Sequence, residues 1–444
     1  IDVHSHAGGG LTRETLSEAR PLLAQGITTV FVNPDGGGPV DMVEQRSELL
    51  AHGLGVNVAQ LVPHGSVRGA VLGRADRAPT ADEMTQMKTL VRAGMTAGAF
   101  GLSSGPYYAP GSFSETEELI ELARVAAEHG GVYTSHIRDE ADYTIGVIAA
   151  VDEVIRVATE AGLPGIVTHI KALGPRVWGY SGAIVKRIER ARAAGVEVYA
   201  DQYPYEASST SLSAALLPRW AEAGGGDSLR ARLADPATRA RIRAGMVDNL
   251  DRRGGAARIQ FASWGPDSSV EGRTLADYAE RIGRDPVDAA LSMIEQSSPS
   301  IVSFNMDEDD IALLMQQPWT MTSSDGTLVT MGAGTPHPRA YGTFPRKLRR
   351  YVMEKDVLTL EDAIRSMTSL SAGVMNLNDR GTIREGAYAD VVVFDADEIR
   401  DAATYQEPHQ LAEGMVHVLV NGSFAIDDGE FSETLHGRVL SRQE

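Results

Sequence analysis

Ile1-Asp2-Val3-His4-Ser5-His6 decides how the rest of the chain is read. An apolar run leads into two histidines with one residue between them. Side chains alternate along a strand with period two, so a strand here would point His4 and His6 to one side. Two imidazoles side by side at a strand end make half of a metal site. The other half has to come from elsewhere in the chain.

Working outward, short apolar runs recur at 27–32, 56–62, 99–103, 132–137, 165–170 and 196–200, and again at 321–324. Amphipathic segments rich in Ala, Glu, Arg and Leu lie between several of them. The clearest are 117–129 and 181–194, each followed by Gly. Apolar strands alternating with helices predict a parallel sheet covered by helices. Eight such strands fit an α/β fold of the closed (β/α)8, TIM-like barrel type. A doubly wound open sheet is the alternative, but no Gly-x-Gly-x-x-Gly turn follows the first strand.

The spacing breaks after Thr210. An insertion at about 211–318 holds a Gly-rich turn at 224–226, a basic helical stretch at 230–253 and short strands at 259–262 and 301–304. It reads as a small inserted subdomain or lid, since loops of this size at a barrel mouth shape a pocket. Residues 330–337 read as a loop, and helices are expected at 346–354 and 360–369. The barrel is expected to span 1–375. The tail, 376–444, turns β-rich at 389–394 and 416–420, with hairpin signals at Asn421-Gly422 and Asp428-Gly429. Partner strands for it are not evident, so a segment upstream of Ile1 is expected, and a signal peptide ahead of it stays open.

Three further residues join His4 and His6. His136 ends the run at 132–137, His169 holds the same place in the run at 165–170, and Asp325 follows the last barrel run. Catalytic groups of (β/α)8 enzymes sit at these strand ends, so all five would face one mouth. Four imidazoles and a carboxylate suit Zn²⁺. A single strand-end histidine is usually a satisfied core residue; four of the 11 histidines in such places is a different matter.

Composition narrows the partners. The 444 residues are 43% hydrophobic and 23% charged, with net charge −19. That balance disfavours nucleic acid and anionic membranes. No apolar stretch reaches the length of a membrane span. A small molecule is the expected partner and the cytoplasm the expected location. The chain has no cysteine, which excludes disulfides, thiol nucleophiles and thiolate ligands.

The arrangement of His-x-His on strand one, His on strands five and six and Asp on strand eight resembles the amidohydrolase superfamily. Longer stretches are similar to the D-aminoacylases, the N-acyl-D-amino-acid deacylases. They are Gly101-Leu102-Ser103-Ser104-Gly105-Pro106-Tyr107-Tyr108, His136-Ile137-Arg138-Asp139-Glu140, His169-Ile170-Lys171, Asp201-Gln202-Tyr203-Pro204-Tyr205, Ser324-Asp325-Gly326 and His337-Pro338-Arg339 with Gly342-Thr343-Phe344-Pro345-Arg346. The resemblance covers nearly the whole chain. It implies a barrel with a small β-sandwich domain drawn from both chain ends, a flap over the pocket and one or two zinc ions. It also implies substrate contacts from Lys171, Arg339, Tyr108, Ser208 and Ser209, with Arg339 as a bidentate clamp for a carboxylate.

One departure stands out. The family usually has a metal-binding Cys in an Asn-Cys-Gly turn after strand two. This chain has Asn33-Pro34-Asp35-Gly36 there. Asp35 offers oxygen ligands in its place, although Asp-Gly is also an ordinary turn. No lysine suited to carboxylation stands at the end of strand four. The expected chemistry is hydrolysis of an N-acyl-D-amino acid, with metal-activated water and Asp325 as general base and then acid. The alternatives are a D-residue dipeptidase, another small-amide hydrolase, and an inactive binding protein.

Overall fold

The computed structural model describes residues 1–442. Its strands are β1 (Thr29–Val32), β2 (Asn57–Gln60), β3 (Val62–Pro63), β4 (Gly101–Ser104), β5 (Val132–Ser135), β6 (Gly165–Val167), β7 (Val198–Gln202), β8 (Ala207–Ser211), β9 (Ile259–Ser263), β10 (Ser300–Phe304), β11 (Thr320–Thr322), β12 (Val391–Phe394), β13 (Met415–Val420), β14 (Ser423–Asp427) and β15 (Glu430–Phe431). β1 and β2 form a parallel pair. A second parallel sheet runs in the order β11-β7-β6-β5-β4-β3. Backbone hydrogen bonds join the two sheets, from Leu61 N to Val32 O and from Phe100 N to Gln60 O.

Alternation along these strands sorts side chains into two cores. Phe31, Phe100, Val132, Ile166 and Met321 gather with Val3 in one buried cluster. Leu102, Tyr133, Val167, Val198 and Ala200 face the other way and pack on helices such as Ala81–Thr96, Thr116–Glu128 and Val147–Ala161. This is the two-sided burial expected of parallel strands.

The opening segment departs from expectation. Residues 1–6 are not a continuous strand; only Asp2 and His6 make isolated bridges, to Val30 and Thr327. Backbone hydrogen bonds still tie the segment to both neighbours, from Asp2 N to Thr29 O (2.8 Å), Phe31 N to Asp2 O (2.8 Å) and Ser5 N to Phe31 O (3.0 Å) on one side and from His6 N to Gly326 O (2.9 Å) on the other. The Asp2 carboxylate accepts from the backbone N–H of His4 (3.3 Å) and Ser324 (2.8 Å). His4 and His6 therefore reach the site from an extended segment held between β1 and the residues after β11.

The insertion folds on its own core. β8, β10 and β9 make a three-stranded antiparallel sheet in that order. Helices Gly225–Ala234, Pro236–Arg252, Leu275–Arg281 and Pro286–Gln296 pack with it around Ile242, Phe261, Leu275 and Ile301. The predicted helix at 346–354 is a wide π-helix, Lys347–Glu354, continuing a helix that begins at Arg339 and carries Pro345. The tail is a four-stranded antiparallel sheet, β12-β13-β14-β15. Asn421 (φ 53°) and Asp428 (φ 50°) turn its hairpins, each followed by Gly, as the sequence signals predict. Among the described residues no helix is long and apolar enough to cross a membrane.

Candidate active site

The ends of the parallel strands bring the predicted residues together. His136 directly follows β5; His169, Asp325 and Asp35 lie just beyond β6, β11 and β1. Three of these four have left-handed backbones: φ is 36° at His169, 48° at Asp325 and 56° at Asp35. Such conformations cost energy and persist where the surroundings fix them. At His169 the fixing group is Asp201, whose Oδ1 accepts from His169 N (2.9 Å) and from Ser323 Oγ (2.6 Å). Asp325 N donates to His4 O at 2.9 Å.

Around Asp35 the imidazoles converge. Its Oδ1 lies 3.4 Å from His4 Nε2 and 3.4 Å from His169 Nε2. Its Oδ2 lies 3.4 Å from His6 Nε2 and 3.7 Å from His136 Nδ1. Asp325 Oδ1 lies 3.6 Å from His4 Nε2 and 3.2 Å from His6 Nε2. Yet His4 Nε2, Asp35 Oδ1 and both ring nitrogens of His136 are buried without a hydrogen-bond partner. Buried polar atoms are nearly always paired, so an unpaired set aimed at one point marks a ligand centre. Two groups have ligand atoms within 4.8 Å of one another: His4, His6, Asp35 and Asp325, and Asp35, His136 and His169. Nitrogen and carboxylate donors in this number fit zinc.

The charges follow from this crowding. Burial would raise the Asp325 carboxyl, but Arg339 and the imidazoles around it hold it well below the usual carboxylate range. Burial likewise opposes ionisation of Asp35, and the histidines reverse that, holding it low. Burial pulls His6 down, yet its two carboxylates carry it up to about 9. In His169, burial and Lys171 act downward and are outweighed by Asp35 and Glu140, which push it up to about 10. These protons occupy sites where a cation would compete.

A cavity of about 720 Å³ opens on this centre and is lined by Tyr108, Ser208, Ser209, Lys171 and Arg339, among others. All five predicted substrate contacts therefore reach one space. Tyr108 Oη stands 3.3 Å from Thr210 Oγ1. Arg339 lies over the Tyr203 ring, 4.7 Å from its centroid, and pairs with Asp325. His337 is not part of the ligand set. Its Nδ1 accepts from Arg339 N (3.0 Å), which leaves its Nε2–H to donate to Ala207 O (2.9 Å).

Sequence reasoning missed two residues of the site. Glu140 is buried and ion-pairs with Lys171; its carboxylate also lies 3.1 Å from His169 Nδ1 and 3.7 Å from His136 Nε2. Its place in the His136–Glu140 run, four residues beyond His136, is the available signal. Arg253, at the end of the helix Pro236–Arg252, is buried against the same cavity. Nothing in the periodicity of that helix marked it.

Residues 1–426 match the family model described as amidohydrolase family. An N-acyl-D-glutamate deacylase of Alcaligenes xylosoxydans xylosoxydans is 39% identical over 387 residues, covering 87% of this chain and 70% of that protein. The crystal structure of the N-acyl-D-glutamate deacylase of Bordetella bronchiseptica, complexed with zinc and a phosphonate mimic of the tetrahedral intermediate, superposes with a TM-score of 0.83. It is 35% identical and covers 99% of this chain and 88% of that one. A D-aminoacylase with a binuclear metal centre gives a TM-score of 0.83 at 31% identity, covering 99% of this chain and 88% of that one. The chain belongs to the amidohydrolase family, within its D-aminoacylase and N-acyl-D-amino-acid deacylase branch.

Proposed function

We propose that this protein is a zinc-dependent amidohydrolase that removes the N-acyl group from D-amino acids. The observation that carries the reading is the convergence of four imidazoles and two carboxylates, with unpaired ligand atoms, at the head of a cavity walled by Lys171, Arg253 and Arg339. The D-stereochemistry and the N-acyl substrate rest on the relatives.

His4, His6, His136, His169, Asp325 and Asp35 are the proposed ligands of one or two zinc ions. Zinc bound there would lower the pKa of water and polarise an amide carbonyl. Asp325 is the proposed base: held ionised at neutral pH, its carboxylate takes the proton released by the attacking water and returns it to the leaving nitrogen. Arg339 is the proposed clamp for the α-carboxylate, with Tyr108, Ser208, Ser209 and Lys171 around it. A substrate carboxylate that takes up Arg339 withdraws the cation holding Asp325 low, so binding makes Asp325 a better base.

Arg253 favours an acidic side chain on the substrate. Of the buried arginines Arg68, Arg253, Arg339 and Arg380, three pair with a carboxylate, of Glu118, Asp325 and Asp390 respectively. Among the described residues Arg253 pairs with none. Its Nη2 donates to Tyr107 Oη at 3.1 Å and its Nε has no partner. A buried guanidinium held by neutral partners alone, Tyr107 and the Asn305 amide oxygen, is costly, and a second substrate carboxylate would relieve that cost. N-acyl-D-glutamate and N-acyl-D-aspartate are the proposed substrates.

The fold reading behind this is a closed (β/α)8 barrel over 1–375. The bridges Asp2–Val30 and His6–Thr327 support it, since they tie residues 1–6 between β1 and the segment after β11. Residues 211–318 act as the flap, and 376–444 contribute to a small β-sandwich domain. The net charge of −19 supports an enzyme with no nucleic-acid or anionic-membrane partner, and the cytoplasm is its proposed location. Stripping the protein with a chelator and restoring zinc tests the reading. Deacylation should vanish and return; hydrolysis that persists without metal contradicts it.

A further inference from the structure

Asp35 occupies a place that a turn residue does not need. A turn aspartate usually caps its own backbone in solvent. This side chain is only 10% exposed, its Oδ1 has no hydrogen-bond partner, and the loop around it is pinned. Ser103 Oγ donates to Asn33 O (2.5 Å) and accepts from Gly36 N (3.3 Å). The Asn33 amide donates to Gln45 Oε1 (2.8 Å) and Leu61 O (3.1 Å). The Asp35 carbonyl sits where a Cβ on residue 105 would come within 2.2 Å, so Gly105 is required there.

The two carboxylate oxygens of Asp35 divide the imidazoles in a particular way. Oδ1 faces His4 and His169; Oδ2 faces His6 and His136. Each oxygen thus meets one histidine from the opening segment and one from the ends of β5 and β6. Asp35 is also the residue common to both ligand groups. The chain has no cysteine, and the donors grouped at this centre are nitrogen and oxygen.

We propose that Asp35 is the shared ligand of two cation positions, one completed by His4, His6 and Asp325 and the other by His136 and His169. The centre is then built of imidazole and carboxylate alone. It accepts zinc, cobalt and manganese, and lacks the preference for thiophilic cadmium that a sulfur bridge confers. This rests on the metal-dependent reading above.

The test is cobalt titration of the metal-free protein, followed by absorption spectroscopy and by elemental analysis after desalting. Wild type should take up about two ions per chain. Asp35→Asn tolerates the left-handed backbone; it should lose one ion or bind it at least roughly 100-fold more weakly. Asp35→Cys should regain the second ion, show a sulfur-to-cobalt charge-transfer band absent from wild type, and favour cadmium over manganese more than wild type does. This variant carries the test if Asp35→Asn fails to fold, as its metal-free melting temperature would reveal. Unchanged uptake in Asp35→Asn, a single ion in wild type, or a Cys variant without the band overturns the proposal. Deacylase activity in such a protein leaves the enzyme reading standing. Wild type that binds no metal overturns both.

Discussion

The Asp325 carboxylate is divided between Arg339 on one oxygen and two histidines on the other. Arg339 Nη1 stands 2.7 Å from Asp325 Oδ2, while Oδ1 of the same group faces His4 and His6. The base and the proposed substrate clamp are therefore electrostatically coupled. Asp325→Asn should lower kcat by about 1000-fold or more while leaving most of the metal in place. Turnover and elemental analysis on the same preparation check this. Near-normal turnover would remove Asp325 from the role of base.

The coupling has a sign in pH. Arg339 holds the Asp325 carboxyl low, so removing the guanidinium lets burial push it up. The acid limb of kcat/KM, which reports the free enzyme, should therefore move to higher pH in Arg339→Met, and KM should rise by roughly 10-fold or more through loss of the clamp. A pH–rate profile of the variant superposing on wild type would break the link.

Glu140 positions rather than reacts. One carboxylate reaches His169 Nδ1 and lies near His136 Nε2, opposite the nitrogens that face Asp35. A carboxylate behind a ligand imidazole fixes its tautomer and orientation. Glu140→Gln should weaken zinc binding by about 10- to 100-fold in a chelator competition. An unchanged zinc affinity would leave Glu140 as no more than the partner of Lys171.

Arg253→Met should reduce kcat/KM for N-acetyl-D-glutamate by about 100-fold, and that for N-acetyl-D-methionine by far less. Steady-state kinetics on both substrates decide it. Equal losses would mean that Arg253 serves the α-carboxylate or the fold, and not the side chain.

Lys347 gives a stability prediction away from the site. The residue is 1% exposed, and its amine donates to Thr322 Oγ1 and Ser366 Oγ, each at 2.8 Å. Burial lowers its pKa to about 7. Below that pH both folded and unfolded chains hold the proton, and the folded state bears the full cost of a buried charge. Between about 7 and the unfolded value of 10.5, the unfolded chain holds a proton that the folded one has released, so stability rises with pH. Lys347→Met removes this slope. Its advantage over wild type should be greatest near pH 6, on the order of a few kcal/mol, and shrink toward pH 10. Denaturant unfolding at both pH values measures it; a pH-independent difference would contradict a buried ammonium.

The strand ends were legible because two periods intersect there. Apolar runs give the strands, and a polar residue that ends a run points to the mouth, which is how His136, His169 and Asp325 stood out. Asp35 was ambiguous because Asp-Gly reads equally as a turn; only the packing of Ser103 and Gly105 on its loop turns the carboxylate inward. The strand expected at 1–6 is present only as two isolated parallel bridges, and what holds the segment includes a bond from Ser324 N to Asp2 Oδ1, a contact 322 residues away in sequence that no local pattern encodes. Arg253 was illegible for a related reason. Its burial depends on how the insertion folds back on the cavity, and the sequence of its own helix does not encode that.

The most direct test of the central claim is chiral. The zinc-loaded protein is offered N-acetyl-D-glutamate and its L enantiomer, and the released amino acid is assayed for configuration. Release of D-glutamate, with the L substrate slower by a factor of about 100 or more, is the predicted result. Equal rates on both enantiomers, or no release from either, would contradict an N-acyl-D-amino-acid deacylase.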